Sequence, residues 1–216
     1  MLLVGCTDRL SVLHPAGPAA AAIATLWWVL LAGAVAIFVL VMALLALAFR
    51  VRGSDAPEAE RGREGRWIIG LGLVFPITVL AALLAYGLVI GERLLPRAGT
   101  DVVAVEAEAR QWAWRFAYPG LSVEDTNGVL HIPAGRPVDV HITSLDVIHS
   151  FWVPRLAGKL DAIPGHVNVL RIEADMPGDY AGVSAEFNGQ GYAGHRFVVT
   201  AHDADAWSEL VEGAAR

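Results

Sequence analysis

The stretch Ala19–Phe49, AAAAIATLWWVLLAGAVAIFVLVMALLALAF, carries no formal charge, and the uncharged run reaches back to Pro15. About 20 apolar residues suffice to cross a hydrocarbon core, so this run predicts one long membrane helix. A helix buried in a water-soluble core would show a polar face over such a length. A second uncharged run, Trp67–Gly91, predicts a second membrane helix. Between the two, residues 50–66 carry Arg50, Arg52, Arg61, Arg63 and Arg66 against Asp55, Glu58, Glu60 and Glu64. An excess of arginine in a short loop marks the cytoplasmic side, and acidic residues count little there. The expected anchor is a transmembrane helical hairpin over residues 19–91, with helices at about 19–49 and 67–91 joined by a cytoplasmic loop. Residues 1–18 form an external tail, and residues 92–216 an external domain.

The chain has 216 residues, 55% of them hydrophobic, and a mean hydropathy of +0.50, and the two runs account for the excess. From Ala98 onward the character changes, with sixteen acidic and eight basic residues. Short alternating runs at Val102–Ala107, Val138–Thr143 and Val167–Ile172 predict half-buried strands. Pro133-Ala-Gly135, Pro164-Gly165 and Pro177-Gly178 read as turns. Short strands and turns of this density fit an all-β sandwich. Ala204–Ala214 reads as a closing helix, with Asp203 or Asp205 near its N-terminus.

Three segments carry the chemistry: Asp146-Val-Ile-His-Ser-Phe-Trp-Val-Pro-Arg-Leu156, Lys159-Leu-Asp-Ala-Ile-Pro-Gly165 and Gly182-Val-Ser-Ala-Glu-Phe-Asn-Gly-Gln-Gly-Tyr-Ala-Gly-His-Arg-Phe197. Together they resemble subunit II of the haem–copper respiratory oxidases. That resemblance implies a cupredoxin-like sandwich after a two-helix anchor. In the cytochrome c oxidase branch, the last segment reads Cys-x-Glu-x-Cys-x-x-x-His-x-x-Met and holds a dinuclear copper centre, CuA. Laid on that pattern, Ser184 and Asn188 occupy the two Cys positions, Tyr192 the His and His195 the Met. His149 and Glu186 match. A mixed-valence copper pair requires bridging thiolates, because soft sulfur is what holds cuprous copper. The only cysteine in the chain is Cys6, at the opposite end. A thiolate-bridged site cannot be assembled from these residues, and no metal is expected in this subunit.

The loop is similar to the copper-free quinol oxidase version of the segment. The resemblance then implies a non-catalytic subunit II of a proton-translocating terminal oxidase, most closely a ubiquinol oxidase. Its partners would be haem–copper oxidase subunit I, further oxidase subunits and membrane lipid, with haem and copper in subunit I and quinol reached through it. No nucleic acid is expected. The location implied is the bacterial cytoplasmic (inner) membrane, multi-pass, with the C-terminal domain periplasmic. Two alternatives stay open. Lys159–Gly165 and His149 look more like the cytochrome c branch, which implies a cytochrome c oxidase subunit II with an altered electron route. A copper-handling or assembly protein with a cupredoxin shell is the other.

Several further residues bear on these readings. Trp112 and Trp114 alternate around Ala113, so on a strand they would share one face. They are candidates for electron entry or subunit contact, or simply for core packing. His149 and His195 would lie close together in the family fold, either sharing an ion or serving structure alone. His131, His141, His166 and His202 are scattered, with no tight ligand spacing. Leu3-Val-Gly-Cys6 matches a lipoprotein processing pattern, which makes Cys6 a lipidation candidate, although it can equally be an ordinary thiol. Pro76 should kink the second helix, and Gly70 and Gly72 would let another helix approach closely. Many relatives place a Glu near the start of that helix, where this chain has Ile69, with Glu64 the nearest carboxylate.

Overall fold

The structure, a computed structural model, describes residues 9–50, 64–96, 99 and 101–213. Cys6 and the arginines at 52, 61 and 63 therefore lie outside the described residues. Helix α1 spans Pro18–Arg50 and helix α2 spans Glu64–Leu94. Both are long and apolar enough to cross a membrane.

Within α2 the residues Gly70–Val74 form a π turn. Pro76 supplies the reason. Its nitrogen has no hydrogen to donate, and its ring would press on the carbonyl four residues earlier, at Gly72. A π turn shifts the hydrogen-bond ladder by one residue and relieves that clash. The α-helix then resumes over Phe75–Leu94, and Thr78 Oγ1 donates to the Val74 carbonyl at 2.8 Å.

The rest of the chain builds a sandwich from β1 (Val103–Arg110), β2 (Ala113–Ala117), β3 (Thr126–Asn127), β4 (Val129–Pro133), β5 (Val138–Ser144), β6 (His149–Trp152), β7 (Leu160–Ala162), β8 (Asn168–Ile172), β9 (Gly178–Ser184) and β10 (Arg196–His202). One sheet has the order β3-β2-β1-β5-β8 and the other β4-β10-β9-β6-β7. The predicted strands and turns are present. The alternation that announces β1 and β5 is the alternation that buries Val103, Val105, Ala107 and Ala109, and Val138, Val140 and Ile142. Leu130, Ile132, Val199 and Ala201 face them from the second sheet. Two pairings, β1 with β5 and β4 with β10, are parallel. Trp114, Phe116, Phe151 and Phe197 fill the centre, with Phe151 and Phe197 centroids 4.7 Å apart.

Helix α3, Ala204–Gly213, closes the domain. Asp203 is its cap, accepting a hydrogen bond from Ala206 N at 2.9 Å. Trp207 on its inner face is buried.

Residues 9–25 pack with the sandwich. Ala16 N donates to the Arg155 carbonyl at 2.7 Å and the Ala16 carbonyl accepts from Asp175 N at 2.9 Å. Arg155 Nε donates to the His14 carbonyl at 2.9 Å, and Ala20 N to the Leu156 carbonyl at 3.2 Å. Gly17 permits this approach, since a Cβ there would stand 2.1 Å from the Glu173 carbonyl oxygen. Hydropathy along the chain carries no sign of this docking.

Candidate functional site

Three loops meet at one end of the sandwich: Gln111-Trp112 between β1 and β2, Leu145–Ile148 between β5 and β6, and Ala185–His195 between β9 and β10. Main-chain and side-chain hydrogen bonds stitch them. Gln111 N donates to Asp146 Oδ2 at 2.7 Å, and Gln111 Nε2 to the Asn188 carbonyl at 3.2 Å. Leu145 N reaches the Ala109 carbonyl at 3.0 Å.

His149 and His195 are brought together, with ring centroids 5.0 Å apart and the rings edge to face. Both are buried. Their surroundings differ. Asn188 Nδ2 lies 2.9 Å from His149 Nδ1 and 2.7 Å from the Ile148 carbonyl. His149 Nε2 lies 2.9 Å from Asp146 Oδ1. An amide nitrogen can only donate and a carboxylate can only accept, so the network assigns a lone pair to Nδ1 and the proton to Nε2. Both nitrogens of His149 are thereby engaged, and the side chain at a thiolate position does half of it.

Asp146 is the electrostatic anchor. Burial opposes its ionisation, but the N–H of Gln111, the His149 ring and the N–H of Val147 outweigh that and hold its pKa down at about 2. His195 has no such partners: neither of its buried ring nitrogens makes a well-aligned hydrogen bond, and the Ala113 backbone acts on it only weakly. Burial and then the neighbouring His149 lower its pKa, against smaller opposing contributions from the Ala113 backbone and Asp146. Trp114 Nε1 and Asn188 Oδ1 are likewise buried without partners.

The remaining predicted residues are placed as follows. Ser184 ends β9, buried; its N–H donates to the His195 carbonyl at 2.9 Å and its hydroxyl accepts from Ser150 N at 3.4 Å. Glu186 is half-buried at the start of the loop. Tyr192 opens a short 3-10 turn, Tyr192–Gly194, and its ring meets Phe187 at 5.1 Å. Trp114 lies on β2, fully buried and stacked on His195 at 5.5 Å. Trp112 does not share that strand, because the β1–β2 turn claims it. It still reaches His195, edge-on at 6.4 Å, and lies over Gly191. That glycine has φ 113°, and a Cβ on it would fall 2.9 Å from the indole.

Among the described residues no three His, Cys, Asp or Glu side chains group to hold a metal ion. Residues 9–213 contain no thiol, and His149 has no free lone pair. This donor set does not fit a thiolate-bridged copper pair.

His131 and His202 were scattered in the sequence, yet their Nδ1 and Nε2 atoms lie 2.9 Å apart. Only strand register could have revealed this. Parallel β4 and β10 align His131 with Thr200, which puts His202 on the same face two residues on.

Comparison with known proteins agrees with this architecture. The family described as "Cytochrome C oxidase subunit II, periplasmic domain" matches residues 120–202. Quinol oxidase subunit 2 of Bacillus cereus is 28% identical over 220 residues, covering 98% of this chain and 75% of the relative. Cytochrome c oxidase subunit 2 of Alkalihalophilus pseudofirmus is 31% identical over 226 residues, covering 99% of this chain and 65% of the relative. Among solved structures, the periplasmic domain of subunit II of cytochrome oxidase of Bradyrhizobium japonicum superposes with a TM-score of 0.51 at 25% identity, covering 56% of this chain and 96% of that one. The family match and the relatives' names together support a haem–copper oxidase subunit II, in keeping with a sandwich preceded by two apolar helices.

Proposed function

We propose that this chain is the subunit II of a terminal oxidase that takes its electrons from quinol and that it carries no CuA centre. The observation behind the reading is the Asn188 side chain. At a position where a thiolate would bridge copper, its amide donates to His149 Nδ1, the lone pair a metal would need. Ser184 at the other thiolate position is a hydroxyl engaged with the β6 backbone. Among the described residues no thiolate is available at this end of the sandwich to build an electron-accepting copper pair.

In this reading α1 and α2 anchor the chain in the cytoplasmic membrane, and the sandwich faces the periplasm. The chain supports and orients a haem–copper subunit I, which reduces oxygen with quinol electrons and moves protons. Cys6, outside the described residues, is its candidate lipid attachment. A cytochrome c oxidase subunit II is the second reading, favoured by His149 itself and by the names of relatives such as that of Alkalihalophilus pseudofirmus.

Oxygen uptake by the purified complex, measured in turn with a quinol and with reduced cytochrome c, separates the two. Turnover with quinol alone is expected. Robust turnover with cytochrome c and none with quinol overturns the proposal. In parallel, copper added to the purified chain should give no mixed-valence near-infrared band, and such a band at two coppers per chain would refute the loss of the centre.

A further inference from the structure

On the outer face of the second sheet, away from the loop end, His131 on β4 and His202 on β10 meet with Nδ1 and Nε2 2.9 Å apart and ring centroids 5.1 Å apart. Each imidazole is half-buried, and their mates on either side of the strands, Leu130, Ile132 and Ala201, point into the core. The pair is fixed from several directions. His131 N donates to the Tyr118 hydroxyl at 2.7 Å. The His202 ring lies against the buried Trp207 of α3, with centroids 6.4 Å apart. His202 is followed at once by Asp203, which caps that helix.

Carboxylates surround the pair. Glu124 and Glu209 line a groove of about 360 Å³ that includes His131. Asp179 on β9 lies across from Thr200, whose hydroxyl donates to it at 2.8 Å. With both rings neutral, the two facing nitrogens can hold only one proton between them. Protons on both facing nitrogens would set two N–H groups against each other.

A metal ion resolves the same juxtaposition differently. Two nitrogens each about 2.0 Å from one ion stand about 2.8 Å apart at a right angle and about 3.3 Å apart at the tetrahedral angle. The 2.9 Å between the facing nitrogens is here that of a hydrogen bond, and it lets both reach one ion as neighbouring corners of a square with little movement of the strands. We propose that His131 and His202 form a bidentate site for a divalent transition-metal ion of tetragonal preference, copper(II) above all. Both rings turn their lone pairs outward onto the ion, and the shared proton moves to the far nitrogen of its own ring. Water completes the coordination. Burial and then the His202 charge lower the pKa of His131, against a smaller opposing effect of Asp179. With two protein donors and no third that is preformed, the ion is held exchangeably.

The test uses the full chain in detergent, titrated with copper(II) and, separately, with zinc(II). One copper(II) per chain is expected, with an EPR spectrum of tetragonal type whose hyperfine structure counts two nitrogen ligands, and with zinc(II) weaker. His131→Gln and His202→Gln should each weaken copper binding at least about tenfold. Circular dichroism confirms that each variant is folded. If one of them unfolds, the nitrogen count on the unaltered chain decides alone. No saturable copper binding, a spectrum with fewer than two nitrogens, or affinity untouched in both folded variants overturns the proposal. The last result would assign the ion to His14, His141 or His166.

Discussion

The two histidine pairs invite comparison because their rings are equally close, with centroids 5.0 Å apart for His149–His195 and 5.1 Å for His131–His202. At the loop end the rings are buried and meet edge to face, so their nitrogens do not address each other. Asn188 and Asp146 have claimed both nitrogens of one ring, and those of the other have no partner. On the sheet face the rings are half-exposed and their nitrogens point at one another. Proximity of imidazoles is therefore not what makes a metal site. What matters is whether lone pairs are left over and whether they converge.

The largest effect expected from breaking this contrast is at Asn188. Asn188→Ala removes both donations by the amide and leaves the buried His149 Nδ1 without a partner. Such a loss costs about 2 kcal/mol, and thermal melting of the purified chain, followed through the near-ultraviolet signal of its buried tryptophans, should register it. An unchanged melting temperature would mean that the amide is incidental.

His195 should behave oppositely. Exchanging an unpartnered buried ring for an apolar one, His195→Leu, is expected to be neutral or slightly stabilising at pH 7, within about 1 kcal/mol. It should also change the pH dependence. The folded state lowers the pKa of His195, so between that value and the ordinary value near 6.5 the unfolded chain binds more protons. Stability is full above about pH 6.5 and falls as the pH drops below it. The Leu variant should lose its share of that slope and keep the share due to His131, whose pKa is lowered in the same sense. A slope unchanged by the substitution would contradict the assignment.

The smallest effect belongs to the exposed pair. His131→Gln, measured without metal, should cost no more than about 1 kcal/mol, because solvent replaces much of the lost hydrogen bond. A larger loss would make the pair a structural clasp.

Much of this was legible in the sequence, and the reason is periodicity. Ala19–Phe49 and Trp67–Gly91 needed only length and the absence of charge. β5 needed only the alternation of Val138, Val140 and Ile142. Asp203 before a helical pattern is a local signal with a local effect. The residues facing the loop end are legible only through the family resemblance, which picks out Ser184 and Asn188 around Glu186 without saying what an amide would do there. Two things were hidden because they depend on segments far apart in the chain. Asn188 acts on a ring 39 residues away. His131 and His202, 71 residues apart, meet only through parallel strands. Trp112 lies in the turn before β2, and alternation with Trp114 does not reveal where a turn ends.

The docking of residues 14–20 has a consequence for how the sandwich is delimited. Its seam with Arg155, Leu156 and Asp175 is made mostly of main-chain groups, with the Arg155 side chain added, so a fragment that begins at Gly99 would leave the Arg155 and Leu156 carbonyls and the Asp175 amide bare to solvent. The domain is thus discontinuous, two pieces of chain separated by a helical detour. Its missing piece is short enough to be supplied as a separate peptide.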